Sequence, residues 1–183
     1  MKMNENNKNK IFKFLSGKKA GVFVDDSNLY HAAQKNGWRV DILELKKLLS
    51  EQCDLQFINY YIAVPDKSDA SYVGTENFLS KINDDIDIKT KPLKYTPVGG
   101  KFVKKADFDV EISLDVVRIV GSLDIVVIMS GDSDFLALKN YVVGDKGKKI
   151  LFISYESNMA WELRRCWHIY LDWIKDEIEY KKT

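Results

Sequence analysis

Short apolar runs of strand length alternate along this chain with segments that repeat apolar residues at helical spacing. Residues 20–24 and 125–129 are apolar throughout, which is typical of strands buried on both faces of a parallel sheet. Residues 42–52 carry isoleucine and leucine at helical spacing behind Asp41, a favourable N-cap. This alternation predicts an α/β fold around a mainly parallel sheet.

The pattern predicts further elements over the rest of the chain. Strands are expected at residues 55–64, 86–93, 149–154 and 168–170, and the second of these alternates as an edge strand does. Helices are expected at residues 28–36, 71–83, 108–120, 134–143, 158–166 and 171–181, with Gly37 and Gly144 ending the first and the fourth. Residues 95–101, which contain Pro97 and two glycines, are expected to form a loop.

The chain is expected to divide into two parts. Residues 1–19 would be a flexible tail, rich in Asn and Lys, and a short lead-in with one helical turn at 11–15. Residues 20–183 would be a single domain that includes a C-terminal helix, because no linker or internal repeat interrupts them.

Composition narrows the class of protein. Of the 183 residues, 45% are hydrophobic and 30% are charged, which is typical of one soluble globular domain. The formal net charge of +1 argues against a basic footprint for nucleic acid, so any such binding would depend on a local patch. Cys53 and Cys166 lack metal-binding spacing. No apolar run approaches the roughly 20 residues of a membrane span, and no signal peptide is recognisable, so a cytoplasmic location is expected.

Acidic residues follow the two most apolar strands at the point where each strand ends. Asp25 comes after residues 20–24, and Asp132 and Asp134 come after residues 125–129. Because ligands bind outside the carboxyl ends of parallel strands, these carboxylates are expected to meet at one rim. Carboxylates held together repel each other unless a cation lies among them, and oxygen ligands suit Mg²⁺ or Mn²⁺. The alternative, that Asp25 and Asp132 only cap the helices after them, stays open at this point.

Three segments resemble the NYN domain, the LabA-like branch of the PIN-like nucleases. They are VFVDDSNLY at residues 22–30, KKADFDVEISLDVV at residues 104–117, and residues 127–154, which contain SGDSDF and GKKILFIS. The resemblance covers roughly residues 20–171 in matching order, and SGDSDF with the helix and strand after it is the most specific part. It implies a metal-dependent ribonuclease, with RNA as partner, built as a three-layer α/β/α sandwich around a central, mainly parallel sheet.

Carried over by position, the resemblance implies a catalytic site in which Mg²⁺ or Mn²⁺ is held by Asp25, Asp109, Asp132 and Asp134. Asn28 is expected to orient the loop after the first strand or to contact substrate. Asp115, six residues beyond Asp109, is expected to support the site. Ser130 could hydrogen-bond a ligand carboxylate or a water. Such a centre would activate a water for in-line attack on a phosphodiester.

Lysines that would contact the phosphates of the substrate precede the helix of Asp109, at Lys91, Lys94, Lys101, Lys104 and Lys105. Tyr95 and Phe102 lie among them and could stack on unpaired bases, although Phe102 is equally suited to core packing. Each lysine taken alone is also explained as part of a solvated loop.

The sequence departs from the family pattern in three places along the chain. The family has Gly where Asp26 stands, and it commonly has Lys-Gly-Val-Asp where residues 106–109 read Ala-Asp-Phe-Asp. An aspartate often found near Trp167 is missing. Asp26 is therefore expected to alter how closely the backbone approaches a phosphate.

Other classes of protein fit the sequence less well. A haloacid dehalogenase-type phosphatase needs a carboxylate where Ser27 stands, and a GDS-type esterase built on Ser133 and His168 lacks its aspartate. The main alternative is a non-catalytic PIN-like module that binds RNA or a protein, which near-neutral charge favours and the complete acidic set disfavours. Four aromatic residues near the C-terminus are expected to pack on the sheet, with a homodimer contact as the alternative: Trp161, Trp167, Tyr170 and Trp173.

Overall fold

A computed structural model describes residues 12–99 and 101–181 of the chain. Its sheet consists of β1 (Lys19–Asp25), β2 (Asp54–Val64), β3 (Asp87–Pro92), β6 (Ile125–Met129), β7 (Lys149–Ser154) and β8 (His168–Tyr170). The strands lie in the order β3–β2–β1–β6–β7–β8, and every neighbouring pair is parallel. A separate antiparallel hairpin consists of β4 (Lys94–Val98) and β5 (Lys101–Lys105).

Helices cover both faces of this sheet. They are α1 (residues 12–15), α2 (Asp26–Asn36), α3 (Ile42–Gln52), α4 (Tyr72–Ile82), α5 (Asp109–Ile119), α6 (Leu136–Asn140) and α7 (Lys175–Ile178). Apolar residues of α2, α3, α4 and α7 pack on one face, and those of α5 and α6 pack on the other. Within β1, Val22 and Val24 belong to the first core and Phe23 to the second, as the alternation of a strand requires. The predicted three-layer α/β fold is therefore confirmed.

The strand order reverses between β1 and β6. From β1 the chain proceeds outward through β2 to β3, and from β6 it proceeds the opposite way through β7 to β8. Gly21 lets β1 sit in this central position, because a Cβ there would lie 2.4 Å from the Phe57 ring and 2.8 Å from Leu123 Cδ1. The carboxyl ends of two strands at such a reversal form a crevice, and crevices of this kind are where open α/β sheets bind ligands.

The predicted strands are confirmed, and so are the predicted helices in the first two thirds of the chain, with ends shifted by one or two residues at most. Asp41 caps α3 through Leu43 N at 3.0 Å, and Gly37 ends α2 with a φ of 72°. The predicted tail at residues 1–10 lies outside the described residues, and the division into a tail and one domain stays a prediction. Among the described residues, no helix is long and apolar enough to cross a membrane.

The loop predicted at residues 95–101 is wrong, because this segment belongs to the β4–β5 hairpin. Lys94 pairs with Lys105 and Tyr95 with Lys104, and the chain turns at Gly99, whose φ is 57°. Pro97 is tolerated because a two-stranded ribbon has open edges where no N–H is needed. Gly99 therefore marks a hairpin turn between two short strands.

The helix predicted after β6 is present but only partly α-helical, and the helix predicted after β7 is wrong. The segment at 134–143 is a 3₁₀ turn (Ser133–Phe135), α6 and a π turn (Tyr141–Asp145), and the positive φ falls at Gly147. The segment at 158–166 is not an α-helix: 3₁₀ turns lie at Glu156–Asn158 and Leu163–Arg165. Arg164 explains this irregular loop, since its guanidinium donates to the carbonyls of Met159 at 3.1 Å and Glu156 at 2.9 Å.

The C-terminal helix predicted at residues 171–181 is also shorter than predicted. A 3₁₀ turn at Leu171–Trp173 is followed by α7, which has four residues. Tyr170 and Trp173 pack on the core, as predicted. Trp161 and Trp167 do not, since they are 58% and 50% exposed. The irregular loop turns both rings outward, where Arg165 lies over Trp161 and Phe14 stacks on Trp167. The homodimer contact stays a prediction.

Candidate metal centre

Three of the predicted aspartates lie together at the reversal point of the sheet. Asp109 begins α5, and Asp132 and Asp134 lie in the loop after β6. One carboxylate oxygen from each residue lies within 4.8 Å of the other two. Asp132 Oδ1 also accepts a hydrogen bond from the backbone N–H of Asp134 at 3.0 Å, so the turn itself orients the Asp132 side chain.

Asp25 lies beside this group of three and is connected to it through Ser130. Its buried carboxylate accepts from the Ser27 hydroxyl at 2.9 Å and the Asn28 N–H at 3.3 Å on Oδ1. On Oδ2 it accepts from the Ser130 hydroxyl at 3.1 Å, and Ser130 Oγ accepts from Asp132 N at 3.2 Å. Asp25 and Asp132 therefore act as caps, Asp132 also belongs to the group of three, and Asp25 lies beside it; binding of a metal stays a prediction.

Asn28 fixes the loop after β6. Its Oδ1 accepts from Gly131 N and from Asn158 Nδ2, both at 2.9 Å. A Cβ at Gly131 would lie 2.3 Å from the Asn158 carbonyl oxygen, so the two loops are in close contact. Asn158 is a site residue that the sequence interpretation missed. It lies in the irregular loop after β7, in a segment whose pattern predicts a helix, so looking for polar residues directly after each strand did not identify it.

The electrostatics of the cluster fit a cation. Burial, followed by the charges of Asp107, Asp25 and Asp132, raises the pKa of Asp109 to about 7. Burial is also the main cause that raises the pKa of Asp25. No ion pair within the described residues joins a basic side chain to any of the four predicted aspartates.

The donor set also fits Mg²⁺ or Mn²⁺. It consists of oxygen atoms, which these hard ions prefer, and it offers no thiolate or imidazole. Ligands on opposite sides of a Mg²⁺ ion lie about 4.2 Å apart. Adjacent ligands lie only about 3 Å apart, so the three oxygens, now within 4.8 Å of one another, would move closer together to share one ion.

Asp26, which stands where the family has Gly, is directed toward the sheet. Its Oδ1 accepts a hydrogen bond from the hydroxyl of Tyr60. Burial, together with the neighbouring charge of Asp25, raises the pKa of Asp26 to about 6. Its carboxylate is therefore occupied within the protein and does not belong to the group of three.

Asp115 lies away from the cluster and holds α5 in place. Its Oδ2 accepts from the hydroxyl of Tyr61 in β2 at 2.8 Å, and its Oδ1 accepts from Arg118 Nη1 at 3.1 Å. Because Tyr61 pairs in register with Asp25, this bond connects α5 to the sheet next to the end of β1. Asp115 therefore positions α5, which begins at Asp109, and its supporting role at the site stays a prediction.

The lysines predicted to bind substrate differ in their contacts with acidic residues and in their exposure. Lys104 forms an ion pair with Asp69 at 2.8 Å. Lys91 forms one with Glu111 at 2.7 Å and also donates to the carbonyl of Asp107. Lys94 and Lys105 are exposed and lie opposite each other on the hairpin, and the backbone of Lys101 lies opposite Val98 near its turn.

The model of the NYN domain family matches residues 19–173, which include every residue of the cluster. The chain belongs to the NYN domain family. This NYN domain is similar to the low amplitude and bright protein LabA of Synechococcus elongatus, with 27% identity over 154 residues, 82% of this chain and 81% of the relative. Both findings confirm the resemblance seen in the sequence.

The fold of the NYN domain is also found in a solved structure. A protein of unknown function from Vibrio parahaemolyticus superposes with a TM-score of 0.71 at 20% identity, covering 90% of this chain and 97% of that one. At this identity the likeness shows the fold alone.

The esterase alternative, built on Ser133 and His168, gains no support. Ser133 follows β6, whereas His168 lies on β8, and β7 separates these two strands. The Nδ1 atom of His168 is 2.9 Å from the Cys166 carbonyl.

Proposed function

We propose that this NYN domain is a metal-dependent ribonuclease that hydrolyses phosphodiester bonds within RNA. The observation that carries the proposal is the grouping of Asp109, Asp132 and Asp134, with oxygens within 4.8 Å of one another, at the reversal point of the sheet. Membership of a nuclease-like family supports the same function.

Each acidic residue has a distinct part in the proposed site. Asp109, Asp132 and Asp134 would hold Mg²⁺ or Mn²⁺, and Asp25 would orient the loop through Ser130 and add negative charge. When bound, the ion supplies charge neutralisation at a phosphate and lowers the pKa of water in the site. Asp109 would release its proton as a cation enters, since metal ligands bind in their deprotonated form.

The hairpin supplies the positive charge for a polyanionic substrate. Residues 88–106 contain six lysines and no acidic residue, whereas the chain as a whole has a net charge of +1. Lys94 and Lys105 are exposed on one side of this hairpin, close in sequence to α5 and Asp109. A local basic patch of this kind binds phosphates without requiring a basic protein.

The test is cleavage of end-labelled RNA, both single-stranded and structured, with Mg²⁺, with Mn²⁺ and with EDTA. Cleavage should require a divalent ion. Asp132→Asn should lower it at least about 100-fold, because a metal centre contributes several kcal/mol to such reactions. Asp84→Asn is a matched control, since Asp84 is exposed in the connection between α4 and β3. If the wild type and Asp132→Asn cleave equally, the proposal is wrong.

The alternative function is a non-catalytic module that binds RNA or a protein. The pairing of Lys104 with Asp69 and of Lys91 with Glu111 favours the protein-binding form of this alternative, because these lysines are less available to any RNA. The same experiment separates the two functions. RNA that is bound equally by wild type and Asp132→Asn, and cut by neither, would identify the domain as a binding module.

A further inference from the structure

An open cleft lies on the same edge of the sheet as the aspartates, between the β2–α4 connection and the hairpin. Its volume is about 940 Å³, within the range of ligand sites in proteins. Val64, Pro65 and Leu93 give it an apolar floor at the ends of β2 and β3, and the side chains of Tyr72 and Tyr95 also line it. Nothing in the proposed chemistry of the metal centre uses this cleft.

Hydrogen bonds fix Tyr95 in this cleft. Its hydroxyl accepts from Asp66 N at 3.0 Å and donates to Asp69 Oδ2 at 3.0 Å. Asp69 is itself held by Lys104 at 2.8 Å and by the backbone N–H of Ser71 at 2.9 Å. The aromatic ring is therefore held in one orientation before any ligand arrives, which lowers the entropy lost on binding.

The charge around the cleft suits a polyanion. Lys67 and Lys91 line it, and Tyr95 belongs to the hairpin that also carries the exposed Lys94 and Lys105. Two carboxylates oppose this positive charge, but each has partners: Asp69 pairs with Lys104, and Asp66 accepts from the N–H and hydroxyl of Ser68 at 2.9 and 2.6 Å. Aromatic rings beside lysines are the combination that binds single-stranded nucleic acid.

Lys91 connects the cleft to the metal centre. It lines the cleft, yet its ammonium group pairs with Glu111 at 2.7 Å and donates to the carbonyl of Asp107, two residues before Asp109. β3 is three strands away from β6, whose loop carries Asp132 and Asp134, a lateral distance of about 14 Å. A strand of RNA with one phosphate at the aspartates therefore reaches the cleft within a few nucleotides.

We propose that this cleft takes an unpaired nucleobase of the strand to be cut, seated against Tyr95 and Tyr72, and thereby selects single-stranded RNA. The proposal rests on the proposed function, since it names the substrate class of the same site. Bases inside a duplex are covered on both faces and joined to a partner strand, so they cannot enter the cleft.

The test measures binding apart from cleavage. In an Asp132→Asn background with EDTA, fluorescence anisotropy follows a labelled RNA of about 12 nucleotides, alone or annealed into a blunt duplex. Tyr72→Ala and Tyr95→Ala should each weaken single-strand binding about 5- to 150-fold, the range for loss of one stacked base. Tyr95→Phe keeps the ring and should lose less. Tyr180→Ala, an exposed tyrosine outside the cleft, is the control and should bind as the parent does.

The outcomes distinguish this proposal from the ribonuclease proposal. Unchanged single-strand binding in Tyr72→Ala and Tyr95→Ala, or duplex binding as tight as single-strand binding, would overturn the assignment of the cleft. Circular dichroism and the control variant show whether a loss reflects misfolding, and Tyr72→Ala leaves the hydrogen bonds of Tyr95 in place. If the cleft variants lose binding while wild type cuts no RNA, the cleft stands and the nuclease function fails.

Discussion

Replacing Asn28 with alanine should destabilise the domain more than replacing Asn158, although the two side chains share a hydrogen bond. Asn28 Oδ1 is the acceptor for both Gly131 N and Asn158 Nδ2, so Asn28→Ala removes the partner of two donors. Asn158→Ala removes only one donor and leaves the bond from Gly131 intact. The difference in stability between the two variants therefore measures the cost of leaving the N–H of Gly131, a buried residue, without an acceptor.

The expected magnitudes follow from the groups left without partners. A buried N–H without an acceptor costs about 1–3 kcal/mol, and an ordinary hydrogen bond contributes about 0.5–1.5 kcal/mol. Asn28→Ala should therefore cost about 2–4 kcal/mol, and Asn158→Ala about 0.5–1.5 kcal/mol. In a domain of this size these correspond to roughly 4–16 °C and 1–6 °C in Tm.

Thermal and urea unfolding of the two single variants and the double variant, all in EDTA, provide the assay. In the double variant, the Asn158 substitution should add little to the cost of Asn28→Ala, because its partner is already absent. Equal costs for the two single variants, or a cost for Asn28→Ala below about 0.5 kcal/mol, would refute the reasoning. That result would mean that the Gly131 N–H finds another acceptor, and that Asn28 does not fix the loop.

Three further predictions concern the same site. Folding raises the pKa of Asp109 from 3.8 to about 7, so without metal its stabilising contribution is present below pH 3.8 and is lost as the pH rises through about 7. Asp109→Asn should therefore show a flatter profile of Tm against pH in EDTA than the wild type. Identical profiles would contradict the assignment. Asp134→Asn should raise the metal-free Tm or leave it unchanged, because it relieves repulsion among carboxylates, whereas a large drop would mark Asp134 as structural. Gly131→Ala should lower the free energy of unfolding in urea by about 1–3 kcal/mol, because its Cβ would lie 2.3 Å from the Asn158 carbonyl oxygen. Gly144→Ala is the matched control and should leave the free energy of unfolding unchanged, because a Cβ at Gly144 meets no atom within 4 Å.

The central sheet could be predicted because its strands carry an unambiguous pattern. Residues 20–24 and 125–129 are apolar on both faces, which only a doubly covered strand satisfies, and both are buried in the structure. Because Asp25, Asp132 and Asp134 follow the carboxyl ends of these two strands, a parallel sheet is expected to bring them to the same edge. The order of the strands was not predictable, because long-range pairing leaves no local mark in the sequence.

The rest of the site depends on packing and could not be predicted from local pattern. Asp109 reaches the cluster only because α5 docks on the sheet through Ile112 and Val116, and the sequence gives this residue only by family resemblance. Asn158 lies in a segment with helical pattern that Arg164 instead ties into an irregular loop. The hairpin was not predicted because Pro97 and the two glycines indicate a loop. The β-branched and aromatic residues around them, which favour strands, were given less weight.

The pairing of β1 with β6 sets the order in which the site is assembled during synthesis. Asp25 and its partner Ser130 are 105 residues apart in sequence, and contacts of such separation form late in folding. A nascent chain that ends after the hairpin contains β1, β2 and β3, but none of the three clustered aspartates. Asn158, which steadies the loop, leaves the ribosome later still. The group of Asp109, Asp132 and Asp134 therefore cannot form until β6 has been synthesised and paired with β1.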